Sequence, residues 1–97
     1  MRNDQLRSIA THACAATDVW QLLELRADRA GDRPFLVWHP YEGKPRTWTY
    51  RDMARDSAAV GAGLIKRGVR LGDRVLIHLE NSPEFVISWF ACAAIGL

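Results

Sequence analysis

The run from Phe85 to Ile95 constrains the fold of this chain most strongly, because it leaves almost no polar face. Ser82, Pro83 and Glu84 precede it and supply a cap residue, a proline for the first helical position and an acid for the first turn. Gly96 follows it and is suited to end a helix. A helix that is apolar all round must be buried on all sides. We therefore expect other secondary-structure elements to pack around this helix.

A second helix is predicted after Thr49, where Thr49 and Asp52 fit a capping box in which Asp replaces the usual Glu or Gln. Gly68 is expected to provide a left-handed turn at its end. Apolar and small residues share one face, and charged residues share the other, which predicts a surface helix packed on a sheet. The apolar face comprises Met53, Ala54, Ala58, Val60, Gly61, Leu64 and Ile65, of which Ala58 and Gly61 suggest close backbone approach.

The N-terminal part of the chain predicts a helix and a hairpin. The helix runs from about Asp18 to Arg29, with Thr17 or Asp18 as its cap and Gly31 just past its end. Two strands, at residues 34–39 and 46–49, are rich in β-branched and aromatic residues. They flank a loop with glycine and two prolines, which favours a β-hairpin.

A central strand is predicted at residues 74–80, between the second and third helices. Val75, Ile77 and Leu79 would point to one side, and Leu76 and His78 to the other. A strand followed by a helix calls for a parallel partner strand just after the helix, reached by a right-handed crossover. The sequence thus predicts an α/β protein ordered helix, β-hairpin, helix, strand, buried helix. Residues 1–16 form a loose leader, and residues 17–97 form a domain that we expect to be truncated.

Composition excludes several classes of protein. Hydrophobic residues make up 48% of the 97 residues and charged residues 25%, which is typical of a globular chain. The net charge of +2 is spread along the chain, and no basic stripe predicts nucleic-acid binding. The most apolar stretch is far shorter than the roughly 20 residues that a transmembrane helix needs. A cytoplasmic protein is expected, with Cys14 and Cys92 as two unrelated thiols.

Histidines and paired carboxylates are the first candidates for chemistry. His12, His39 and His78 would form a metal site only if they converged, and their spacing favours structural or surface roles. Asp52 and Asp56 lie four residues apart on one helix face, as acid–base or metal-binding carboxylates can. They alternate with arginines, however, which is typical of a solvated and charge-balanced face.

The loop Glu80-Asn81-Ser82 lies where open α/β sheets bind ligands, between the carboxyl end of a strand and the start of a helix. Free N–H groups there could hold an anion. Glu80 and Glu84 would repel one, and capping of the next helix explains Ser82. The four tryptophans could form a stacking platform, but they lie on separate elements, which favours core packing. They are Trp20, Trp38, Trp48 and Trp89.

Several short motifs, taken in order and spacing, resemble the N-terminal region of the adenylate-forming superfamily. That superfamily includes acyl-CoA synthetases, peptide-synthetase adenylation domains and luciferases. The resemblance covers Trp20 to Gly96 and is closest to bacterial acid–CoA ligases of the carnitine–CoA ligase or fatty-acyl–CoA synthetase kind. The motifs are Asp32-Arg33-Pro34-Phe35, Arg46-Thr47-Trp48-Thr49-Tyr50, Gly63-Leu64 with Gly68-Val69, Gly72-Asp73-Arg74-Val75, and Asn81-Ser82-Pro83-Glu84-Phe85 with Trp89-Phe90-Ala91.

The resemblance implies a parent enzyme of fatty-acid metabolism that activates a small carboxylic acid with ATP and Mg²⁺. An acyl-adenylate forms, and coenzyme A then displaces AMP to give a thioester. The phosphate loop, the nucleotide-binding residues and the catalytic lysine of the family are expected beyond Leu97. The resemblance therefore assigns no catalytic, cofactor-binding or metal-binding residue to this chain. It implies an inactive scaffold whose partner is the remainder of the parent enzyme.

Two alternatives stay open from the sequence. The chain could be a non-enzymatic interaction module derived from the family, with its apolar last helix as a docking surface. It could also belong to an adenylation domain or to a luciferase-like enzyme, which only sequence downstream of Leu97 would separate from an acid–CoA ligase.

Overall fold

The computed structural model describes residues 18–96, so the predicted leader, with His12 and Cys14, lies outside the described residues. Among residues 18–96, three helices and one two-stranded sheet form a small α/β fold, as the sequence predicts. In chain order the elements are α1 (Val19–Ala30), β1 (Pro34–Trp38), β2 (Arg46–Thr49), α2 (Tyr50–Lys66) and α3 (Pro83–Ala94).

The predicted hairpin is confirmed. β1 and β2 pair antiparallel, with Leu36 opposite Trp48 and Trp38 opposite Arg46, and the register shifts between Pro34 and Leu36. β1 ends one residue before His39, where the loop to β2 begins. The hairpin presents Trp48 to the core, and this side chain is buried.

The start of α1 and its junction with α2 are fixed by local contacts. The Asp18 carboxylate caps α1 by accepting the Gln21 N–H at 2.7 Å. Gly31 follows α1 with φ −57°, so no left-handed turn is made there. Its place is explained by crowding instead, since an added Cβ would lie 2.5 Å from both the Ala27 carbonyl oxygen and the Arg51 guanidinium. The Gly31 carbonyl also accepts the Arg51 N–H at 3.2 Å.

Both predicted ends of α2 are confirmed. Thr49 and Asp52 form the reciprocal capping box, and Gly68 adopts φ 98° just after the helix. The buried face of α2, however, is rotated about the helix axis relative to the predicted face. The buried line runs through Met53, Ser57 and Gly61, whereas Ala58 is exposed.

The packing of α3 on α2 explains that rotation. Residues four apart on a helix form one nearly straight row, and α3 lies along this row. At Gly61 an added Cβ would sit 3.4 Å from Ile95 Cγ2 and 3.5 Å from the Ala91 carbonyl oxygen, so the close approach predicted there is confirmed. α2 packs more extensively against α3 than against the hairpin, which corrects the prediction of a helix packed on a sheet.

The core lies where the hairpin meets the three helices. Leu23, Trp48, Met53 and Phe90 form its buried cluster. Phe35 from β1 joins it through edge-to-face ring contacts at the periphery, 5.2 Å to the Tyr50 ring and 5.7 Å to the Phe90 ring between centroids.

The strand predicted at residues 74–80 is not formed, which corrects the sequence prediction. This segment has no assigned strand, and all of its residues except Ile77 are exposed. A strand needs a neighbour with which to exchange backbone hydrogen bonds. Within residues 18–96, β1 and β2 pair only with each other, so the segment has no ladder to join.

The third helix begins and ends as predicted but is buried on one side only. Ser82 caps α3, and Gly96 follows it with φ 77°. Phe90, Ala91 and Cys92 are buried against the other helices. The opposite side remains open, with Phe85 37% and Trp89 50% exposed, because no described element covers it. No helix among residues 18–96 has the length and hydrophobicity to span a bilayer.

Candidate functional site

The loop before α3 is the strongest candidate for ligand binding in the sequence. In the structure, its serine caps the helix. Ser82 Oγ accepts the Phe85 N–H at 3.3 Å and donates to the Glu80 carbonyl oxygen at 2.9 Å. Glu80 and Asn81 are exposed beside it, and Glu84 lies in the first turn. These carboxylates oppose an anion at the helix N-terminus, and the hydroxyl is already used. The capping role predicted for Ser82 is confirmed.

Asp52 is held by the start of its own helix. Its Oδ2 accepts the Thr49 N–H at 3.0 Å, and its own N–H donates to Thr49 Oγ1 at 3.0 Å. Arg55 Nη1 lies 3.3 Å from its other oxygen. The hydrogen bond from the Thr49 backbone, then that from the Thr49 hydroxyl, and the nearby Arg55 and Arg51 charges lower the pKa of Asp52 below its ordinary value of 3.8. Asp52 is thus a capping carboxylate.

Asp56 ties α2 to the hairpin. Its Oδ2 accepts the Trp48 indole N–H at 3.0 Å, and its Oδ1 accepts from Arg55 Nε at 3.2 Å. The predicted charge-balanced face is therefore confirmed, since Arg55 contacts both carboxylates. The bond to Trp48 was missed from the sequence, because no local pattern joins a strand residue to a helix residue eight positions later.

The histidines and cysteines do not assemble a metal centre in the described part of the chain. His39 follows β1, and His78 lies between α2 and α3; both are exposed. Among residues 18–96, no group of three or more His, Cys, Asp and Glu side chains is placed to hold a metal ion. Cys92 is a buried free thiol.

The tryptophans follow the core-packing prediction with one exception. Trp48 is buried, and the Arg46 guanidinium lies 4.5 Å from the centroid of its ring. Trp20 and Trp38 are partly buried against the core. Trp89, on the open side of α3, is half exposed and contacts the Phe90 ring at 5.3 Å.

An apolar cleft lies between α2, α3 and residues 75–79. It encloses about 370 Å³, and its walls include Val60 and Leu64 from α2 and Ser88 and Cys92 from α3. Most of the side chains on its outer wall are well exposed. Its lining is mainly apolar, and His78, Ser88 and Cys92 are the polar residues among those that line it.

A smaller hollow of about 220 Å³ lies between the hairpin and the start of α3. It is lined by Leu36, Trp38, Phe85 and Val86 together with residues 81–82. Both hollows border the same helix, and both are mainly apolar.

Comparison with known proteins assigns the family. Residues 23–97 match the model of the AMP-binding enzymes, which covers every element from the interior of α1 onward. The chain belongs to this family. The resemblance to adenylate-forming enzymes inferred from the motifs is thereby confirmed.

Individual relatives are acid–CoA ligases. The chain is 36% identical over 66 residues to the crotonobetaine/carnitine–CoA ligases of Salmonella paratyphi B and Salmonella typhimurium, covering 68% of this chain and 13% of each relative. It is 34% identical over 76 residues to that of Salmonella paratyphi A, covering 78% of this chain and 15% of the relative. The chain thus spans only about a seventh of the length of these curated relatives.

Proposed function

We propose that this chain is the N-terminal scaffold of an enzyme that activates a carboxylic acid with ATP and transfers it to coenzyme A. The observation that carries the proposal is the AMP-binding family match over residues 23–97. The relatives named as CoA ligases favour a thioester-forming enzyme over a peptide-synthetase adenylation domain or a luciferase-like enzyme. ATP, Mg²⁺ and coenzyme A would be used by the whole enzyme, in the cytoplasm, with an acyl-adenylate as intermediate.

Within that enzyme, we assign residues 17–97 a structural role and no catalytic, cofactor-binding or metal-binding residue. The described carboxylates support this assignment, because Asp52 and Asp56 are engaged by Thr49, Trp48 and Arg55. The residues also fit ATP and Mg²⁺ poorly. No cluster of metal ligands occurs among residues 18–96, and the N-terminus of α3 carries Glu84 where a phosphate would meet negative charge.

The remainder of the enzyme would cover the apolar cleft and the open side of α3. Exposed apolar patches of this kind mark surfaces that pack against other protein. Residues 74–80 would then become a strand by pairing with a later strand of the same sheet. The Leu76 side chain, 91% exposed here, would be buried in that arrangement.

Grafting tests the proposal. Residues 23–97 would replace the matching segment of the Salmonella typhimurium crotonobetaine/carnitine–CoA ligase, and acid- and ATP-dependent thioester formation would be measured. A scaffold without catalytic groups should leave kcat within about tenfold of the parent ligase. Glu84→Gln in the graft should leave kcat unchanged if this region contacts no substrate.

The matched control is Met53→Asp, which places a charge at a fully buried position and should abolish folding of the graft. A graft that folds with the secondary structure of the parent but forms neither adenylate nor thioester would contradict the proposal. So would a graft whose Glu84→Gln variant loses kcat while its fold is intact.

A further inference from the structure

We draw no further inference here: the strongest candidate, the apolar cleft between α2, α3 and residues 75–79 with the Cys92 thiol in its lining, carries none, because nothing in the structure shows what covers it.

Discussion

The Trp48 indole donates its N–H to the Asp56 carboxylate over 3.0 Å, joining the hairpin to the middle of α2. Trp48 is 6% exposed, whereas Asp56 keeps one oxygen toward Arg55 at the surface. The bond therefore satisfies a buried donor with an acceptor that reaches in from solvent. It fixes the side on which the hairpin packs against the helix.

Removing this acceptor should destabilise the fold. Asp56→Ala leaves the buried Trp48 N–H without a partner, which is expected to lower the free energy of unfolding by about 1–3 kcal/mol. Asp56→Asn retains an acceptor oxygen and should cost less. Urea denaturation followed by tryptophan fluorescence measures both, and Arg55→Ala controls for the loss of the surface ion pair, which should have a small effect. Equal losses in Ala and Asn variants would contradict the role given to the acceptor.

The Asp52 capping box predicts a pH dependence. The folded pKa of Asp52 lies below its ordinary value of 3.8, so ionised Asp52 stabilises the fold above that pH. This contribution is lost as the pH falls below 3.8 through the folded pKa. The thermal midpoints of the wild type and Asp52→Asn should differ most near neutral pH and converge in acid. A difference that persists unchanged down to about pH 2 would show that the charge is unimportant.

Capping boxes and terminal glycines were readable from the sequence because each involves residues only three or four apart. Thr49 with Asp52, Ser82 with Phe85, and Gly68 are such cases. Features that depend on packing between residues far apart in the sequence could not be predicted from it. The buried row of α2 passes through Ser57 rather than Ala58 because of where α3 crosses, which no periodicity within α2 specifies.

The strand expected at residues 74–80 illustrates the same distinction on a larger scale. Alternating apolar residues mark strand propensity, but a strand exists only with a neighbour. Ser82, a candidate ligand-binding residue in the sequence, acts in the structure as the cap of α3, which is a local role that the sequence also predicted. The apolar cleft could not be foreseen, since its walls come from α2, α3 and the intervening segment.

Gly31 should tolerate no side chain. In Gly31→Ala the new Cβ would lie 2.5 Å from the Ala27 carbonyl oxygen, a backbone atom that cannot move cheaply, and the same distance from the Arg51 guanidinium. We expect a loss of about 1–3 kcal/mol in the free energy of unfolding. Gly63→Ala is the matched control. Nothing lies within 4 Å of its added Cβ, and it should stabilise α2 by about 0.5–1 kcal/mol. Similar effects of both substitutions would refute the crowding argument.

The Ser57 hydroxyl should be dispensable for stability. It is fully buried and makes no hydrogen bond within the described part of the chain. Ser57→Ala removes an unsatisfied polar atom and improves helix propensity, so the unfolding free energy should rise by about 1 kcal/mol. Ser57→Val, which instead adds bulk at this packed position, should lower it. A destabilised Ala variant in urea denaturation would indicate that the hydroxyl has a partner.

The 97-residue chain should bind neither ATP nor coenzyme A. Adenylate chemistry depends on positioning and charge stabilisation of phosphates. Both arginines of α2 are already paired with carboxylates, Arg51 with Asp32 and Arg55 with Asp52 and Asp56. Isothermal titration of the chain with ATP and Mg²⁺, and separately with coenzyme A, is expected to show only heats of dilution. The full-length Salmonella typhimurium ligase, titrated under the same conditions, controls for ligand quality. Saturable heat from the 97-residue chain, abolished by Arg51→Ala or Arg55→Ala, would place a nucleotide contact on α2 and overturn the scaffold assignment.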